Sequence, residues 1–251
     1  MVSTHLIVSE KLSQFREVVF AMSTRHGGVS PPPFGMNLSF HVGDEDANVV
    51  QNRKRLSGSL GLDIDRAAFP LQCHTNVVKV ALGPGEYDAC DALATEQPNL
   101  PLVVTVADCL PIVLFDFKKK ALSLVHAGWK GTAQRIAENA IRLMADEFRS
   151  SSTELIAYLG PSAGVCCYEV GLEVAERFPE RLVERRSGGL FLDLKQANLQ
   201  QLLSWGVKRD HIEISSYCTI CHPEMFHSYR RDGEKSGRMM AVASLINSAG
   251  E

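Results

Sequence analysis

The chain has little of what would direct it to a membrane, a nucleic acid or the cell exterior. No uninterrupted apolar run reaches the ~20 residues needed for a bilayer-spanning helix. The first residues, MVSTHLIVSEKLSQF, carry no basic flank followed by an apolar core, so no secretory leader is expected. Charge of one sign is also scarce. A formal net charge of -3 offers neither a global basic field for nucleic acid nor an acidic tail. Low-complexity tracts and fixed-period repeats are missing, which argues against a solenoid. Seven cysteines contain a single C-x-x-C pair. An odd count with no export leader points to reduced thiols in the cytoplasm and against a disulfide framework.

Strand-like and helix-like segments interleave along the 251 residues, without a composition break. The expected fold is therefore α/β, a single mixed domain over residues 1–251. Residues 45–61 open with acidic side chains, place Val49, Arg53, Leu56 and Leu60 at helical spacing, and end at Gly61. Residues 102–106 and 112–117 are dense in branched and aromatic side chains and predict buried strands. Lys118, Lys119 and Lys120 form a charged turn, after which 121–125 returns as the partner strand of a hairpin. Ile136, Ala140, Met144 and Phe148 recur every four residues, the stripe of an amphipathic helix. Asp193 is placed to cap a helix running to Trp205, with Gly206 beyond it. Residues 83–99, GPGEYDACDALATEQPN, predict a long irregular loop.

The hairpin VADCLPIVLFDFKKKALSLVHAGWKGTAQ brings Cys109 toward His126. Thiolate and imidazole both suit zinc, and a catalytic zinc keeps three protein ligands and one open position. His74, at the head of a branched segment, is a candidate third ligand, with His26 and His41 as competitors. The same two residues would equally make a nucleophile and its base in a cysteine hydrolase, or ordinary core packing. The turn after His126, AGWKGT, leads into a helix whose free amides can receive an anion. Arg230, Arg231 and Arg238 in SYRRDGEKSGRM, and Arg25 in STRHGG, are forks suited to phosphate or carboxylate.

Cys218-Thr-Ile-Cys221-His222 matches the pattern of covalent haem attachment, but haem loading of that kind belongs to exported proteins. No second C-x-x-C completes a zinc site with it, and Cys166, Cys167 and Cys90 are expected to pack as small apolar residues.

Taken together, STRHGGVS, GMNLSFHVGDE, LQCHTN, DALAT, TVADCLPI, HAGWKGT, LGPSAGVCCYEVG and SYRRDGEKSGRM resemble the bacterial multicopper polyphenol oxidase, or laccase-domain, family. The family is also described as a purine nucleoside phosphorylase with adenosine deaminase activity. The resemblance runs from about Ser23 to Ala243 and implies α/β/β/α layers, similar to the cysteine-hydrolase-like fold, with a mononuclear zinc site. By motif, the ligands it implies are His74, Cys109 and His126. The chain departs from the family at QCHTN, where Cys73 becomes a rival ligand, although strand alternation would send it to the opposite face. Copper is the second choice, because a multicopper oxidase requires many histidines and this chain has 8, few of them in paired motifs.

The function so implied is a cytoplasmic zinc enzyme for purine nucleosides. It would phosphorolyse adenosine, inosine or methylthioadenosine and deaminate adenosine, with phosphate as co-substrate and no nucleic-acid or membrane partner. Asp108 would donate a proton to the leaving base or orient a ligand histidine, which requires that the strand has ended or bulged there. Arg25, Arg230 or Arg231 would hold phosphate, and Asn37 would hydrogen-bond the ribose or purine. The alternatives are a cysteine hydrolase or peptidoglycan-precursor editing enzyme using Cys109 and His126, a copper polyphenol oxidase, and a binding protein with little turnover.

Overall fold

The computed structural model describes residues 5–247; the outermost residues of the 1–251 span, including the start of the stretch read for a leader, lie outside them. Two six-stranded sheets lie face to face. The first runs, edge to edge, through Leu6–Ile7, Val18–Ser23, Met239–Leu245, Leu102–Val106, Ala68–Pro70 and Gly85–Tyr87. The second runs through Ile212–Ile214, Leu155–Leu159, Leu110–Asp116, Ala121–Ala127, Ala92–Thr95 and Val78–Val80. A three-stranded ribbon of Glu169–Val170, Gly189–Leu192 and Val183–Arg186 stands beside them.

Alternation along the strands builds three apolar layers. Val113 and Phe115 join Leu102, Val104 and Met22 between the sheets, while Leu110, Ile112 and Leu114 point the other way. That outer face is covered by the helix Ile136–Phe148, through Ile136, Ala140, Met144 and Phe148. The far side of the first sheet, with Val103, Met240 and Val242, is covered by Leu56 of the helix Asp46–Leu60. Strands buried on both faces need continuous apolar sequence, which is why these read so plainly as buried. The result is a single mixed α/β domain in α/β/β/α layers.

The hairpin has the expected turn but longer arms, Leu110–Asp116 and Ala121–Ala127. Asp193 caps Leu194–Ser204 by accepting from the Gln196 amide at 2.9 Å. Residues 83–99 are not one irregular loop. They contain the strands Gly85–Tyr87 and Ala92–Thr95, the second fully buried. Four small or branched residues between acidic and proline-rich turns are too short a run to show a period. The helix after His126 also differs from the expectation. Trp129–Ala133 is a five-residue piece, and Arg135 at φ 64° breaks it from Ile136–Phe148, so the turn does not feed a long helix.

Candidate active site

The pairing of the hairpin strands sets Leu110 opposite Ala127 and Pro111 opposite His126. Cys109 and Gly128 thus meet just past the end of the ladder. A Cβ on Gly128 would come within 3.1 Å of the Cys109 Sγ and 3.1 Å of His74 Cδ2, so glycine is what lets these side chains close up there. Asp108 has φ 85°, and this left-handed turn before the strand releases Cys109 from simple strand alternation. His74, at φ 60°, lies in the loop between Ala68–Pro70 and Val78–Val80 rather than on a strand.

One ligand atom from each of His74, Cys109 and His126 lies within 4.8 Å of the others. His74 Nε2 and Cys109 Sγ are 3.9 Å apart, against the ~3.6 Å that tetrahedral zinc would set between a nitrogen and a sulfur ligand. The donor set fits a single metal ion. His126 is buried, Cys109 half-buried and His74 exposed, which leaves one side toward solvent. His26 and His41 are exposed residues of other loops, and Cys73 is exposed and not part of the cluster.

Behind these three side chains is Asp91, fully buried, which nothing in the sequence singles out as a site residue. Its Oδ1 lies 2.7 Å from His126 Nδ1 and accepts from the His74 amide at 3.0 Å. Its Oδ2 accepts from the Thr75 and Cys73 amides at 2.7 and 3.1 Å. One carboxylate therefore fixes the His126 ring with Nδ1 as donor, leaving the Nε2 lone pair for a metal, and shapes the loop that presents His74. Burial works against its charge, but the hydrogen bonds from His126, Thr75 and Cys73 outweigh it and hold the carboxyl below its usual range.

Burial alone would raise the Cys109 thiol. The His126 charge, with hydrogen bonds from His126 and His74, reverses this and brings it down to about 6. Burial likewise pulls the His126 imidazole down, yet the Cys109 charge and Asp91 take it up to about 9. Without a metal the two form a thiolate–imidazolium pair, the deprotonated sulfur that either ligation or nucleophilic attack requires.

The three residues line a cavity of about 480 Å³ whose other walls are Gln72, Thr105, Ala107, Tyr229 and Arg238. Gln72 is spent on Thr105, accepting from its amide and donating to its carbonyl at 2.8 and 2.9 Å. Tyr229 is exposed, and the Arg238 guanidinium stacks over its ring at 5.4 Å. Arg238 Nη1 donates to the carbonyls of Ser236 and Gly237 at 2.7 and 3.1 Å; Nε and Nη2 make no protein hydrogen bond among the described residues.

The other residues expected at the site are not among those lining this cavity. Arg231 is tied to the carbonyls of Thr219, Ile220 and Phe226 and to Asp232. Arg25 is tied to the carbonyls of Pro223 and Pro33. Held by carbonyls in this way, these two guanidinium groups brace the loops they join. Arg230 donates to the Glu169 carbonyl and lies 5.2 Å over Tyr168. Asn37 is fully buried, donating to the Ser39 carbonyl and Asp44 and accepting from the Arg238 amide. It thus shapes the approach to Arg238 rather than meeting a ligand. Asp108 accepts from Thr219 Oγ1, Ser228 Oγ and the Arg230 amide at 2.6, 3.0 and 2.7 Å. With both oxygens so occupied it anchors the 219–230 loop.

Fold and site define a layered α/β protein with a His-Cys-His constellation that could hold a metal ion, lining an open cavity. The chain belongs to the family described as multi-copper polyphenol oxidoreductase laccase, whose model matches residues 19–246. It is 35% identical over 246 residues to purine nucleoside phosphorylase YlmD of Geobacillus stearothermophilus, covering 90% of each chain. It is also 35% identical over 255 residues to adenosine deaminase RL5 from an unknown prokaryotic organism, covering 93% of this chain and 97% of the relative. Among solved structures, a Bacillus licheniformis hypothetical protein YfiH superposes with a TM-score of 0.90 at 32% identity, covering 97% of both chains. The crystal structure of YlmD from G. stearothermophilus gives 0.89 at 32% identity, covering 95% of this chain and 94% of that one.

Proposed function

We propose that the protein is a zinc-dependent purine nucleoside enzyme whose first reaction is phosphorolysis. The observation that carries the reading is the His74–Cys109–His126 cluster on the floor of a cavity with the Arg238 fork in its wall. The likeness to proteins named purine nucleoside phosphorylase, over nearly the whole chain, supplies the substrate class. Two imidazoles and one thiolate are a catalytic zinc set, and zinc bound there supplies Lewis-acid polarisation and acidification of a water. The volume, about 480 Å³, suits a small ligand of nucleoside size.

In this reading Tyr229 offers its ring to the base or ribose, and Arg238 Nε and Nη2 hold phosphate by charge-assisted hydrogen bonds. A phosphate oxygen bonds to ribose C1′ as the bond from C1′ to the purine nitrogen breaks. The bonding pair leaves with the base, and the proton of hydrogen phosphate ends on it. Asp91 keeps the His126 proton on Nδ1 throughout. Adenosine deamination is the companion activity, supported by the likeness to RL5. It stands second because zinc deaminases use a carboxylate as acid and base, and the lining residues include none. A reducing, cytoplasmic setting is supported by seven free cysteines, and no helix among the described residues is long and apolar enough to cross a membrane.

The test is base release from inosine and adenosine, with and without phosphate, by the protein and its His74→Ala and Cys109→Ala variants. Phosphate-dependent release that disappears with the metal in both variants is expected. Zinc-loaded protein that releases no base and no ammonia would overturn the reading. The thiolate character of Cys109 favours one other, a cysteine hydrolase, in which alkylation of Cys109 would abolish activity on a metal-free protein.

A further inference from the structure

Among the described residues a second cluster of possible metal ligands joins four cysteines from two segments far apart in sequence. The Sγ atoms of Cys166, Cys167, Cys218 and Cys221 all lie within 4.8 Å of one another. Cys221 Sγ is 3.3 Å from Cys166 Sγ and 3.0 Å from Cys167 Sγ, so the thiols converge on one point instead of forming an isolated pair. Tetrahedral zinc would set its sulfurs ~3.8 Å apart, in the middle of this spread.

The surroundings of Cys218 favour charge on its sulfur. Cys218 is buried, and its Sγ accepts from the Gly164 amide at 3.2 Å, with the Ile220 and Cys221 amides of its own turn close by. Backbone N–H groups aimed at the first sulfur of a C-x-x-C turn stabilise a thiolate and do nothing useful for an apolar side chain. A Cβ on Gly164 would stand 3.0 Å from Cys218 Cβ and 3.2 Å from Cys166 Sγ, so the close approach of the two segments requires glycine. Lys195 is held by the carbonyls of Ser215 and Tyr217 at 2.6 and 2.7 Å, within electrostatic reach of Cys218 and Cys166. A tetrathiolate around a divalent ion carries net negative charge, and a lysine at that position offsets it.

We propose that Cys166, Cys167, Cys218 and Cys221 form a second metal site, a structural zinc tetrathiolate independent of the His74–Cys109–His126 cluster. Thiol protons leave to solvent as the ion enters. The site staples the loop after Leu155–Leu159 to the segment that provides Thr219 to Asp108 and Tyr229 to the cavity. Its role is to brace that wall. Cys166 and Cys167 therefore do not pack as small apolar residues, and the Cys218–Cys221 pair finds its partners in an adjacent C-C pair rather than a second C-x-x-C.

Metal content of the reduced protein, purified without chelator from zinc-supplemented cells, reads the proposal directly. About two zinc ions per chain are expected. Cys166→Ser/Cys221→Ser should lose one equivalent while keeping the one that Cys109→Ala removes. Unchanged zinc content in the double serine variant would overturn the proposal, whatever the fate of the Cys109 site. Should that variant fail to fold, alkylation of the unmodified protein decides. Exposed Cys73 should label at once, while Cys166 and Cys221, also exposed, stay unlabelled until a chelator is added. Labelling of Cys166 and Cys221 as fast as Cys73, or a peptide map in which they are disulfide-linked, would refute a metal site.

Discussion

Asp91→Asn is the substitution that most directly separates a metal centre from an ordinary buried histidine. The native carboxylate accepts four hydrogen bonds, two on each oxygen. An amide can meet only one pair. If its oxygen faces His126 and the His74 amide, its NH2 confronts the amides of Cys73 and Thr75, and each N–H left without an acceptor costs about 1–3 kcal/mol. If it flips, the NH2 faces His126 Nδ1, which must then accept. The ring proton moves to Nε2, on the metal side, where it blocks ligation.

Either orientation weakens the centre, and loss of such a partner behind a ligand histidine typically costs 10–100-fold in metal affinity, roughly 1.4–2.7 kcal/mol. Zinc affinity measured by competition with a chromophoric chelator should fall by that factor. The melting temperature of metal-free protein, measured separately, should drop by several degrees, at about 2–4 °C per kcal/mol for a chain of this size. An affinity equal to that of the parent would refute the argument that Asp91 sets the ring. A lower melting temperature with unchanged affinity would reduce Asp91 to a loop brace.

Arg238→Lys keeps the charge but loses the fork, so KM for phosphate should rise on the order of tenfold, one charge-assisted hydrogen bond of about 1.5 kcal/mol, with zinc content intact. An unchanged KM in phosphate-dependent assays would remove Arg238 from the site. Gly128→Ala places a methyl 3.1 Å from Cys109 Sγ and from His74 Cδ2. Overpacking of about 1–3 kcal/mol should lower zinc affinity about tenfold or more, and a chelator titration matching the parent would show that the ligands have room to give. In metal-free protein the Cys109 thiol, down at about 6, should alkylate with a rate that rises as pH passes through that value, since only the thiolate reacts. A midpoint near the ordinary ~8.5 would show that His126 does not hold the sulfur charged.

What was legible in the sequence and what was not divide by how far apart the cooperating residues lie. Strands buried on both faces, such as Leu102–Val106, announce themselves because nearly every position is apolar, Thr105 at the cavity being the exception, and the lysine turn fixes where the hairpin reverses. Ala92–Thr95 was hidden because a four-residue strand has no measurable period, and it took Asp91 into a presumed loop with it. An aspartate beside turn residues reads as solvated; only the pairing that brings it under Cys73, His74, Thr75 and His126 makes it a buried acceptor of four bonds. The arginines show the converse. Arg25 and Arg231 look like phosphate forks because a sequence shows the guanidinium but not the carbonyls that consume it. The cysteines follow the same rule across the longest gap. Cys166 and Cys221 are 55 positions apart, and they meet where the parallel pairing of Leu155–Leu159 with Ile212–Ile214 is carried on by a bridge between Ser162 and Cys218. Ligands contributed by one turn can be recognised from spacing. Ligands joined by a backbone bridge, like acceptors shared between loops, become visible only when the chain that separates them has been folded away.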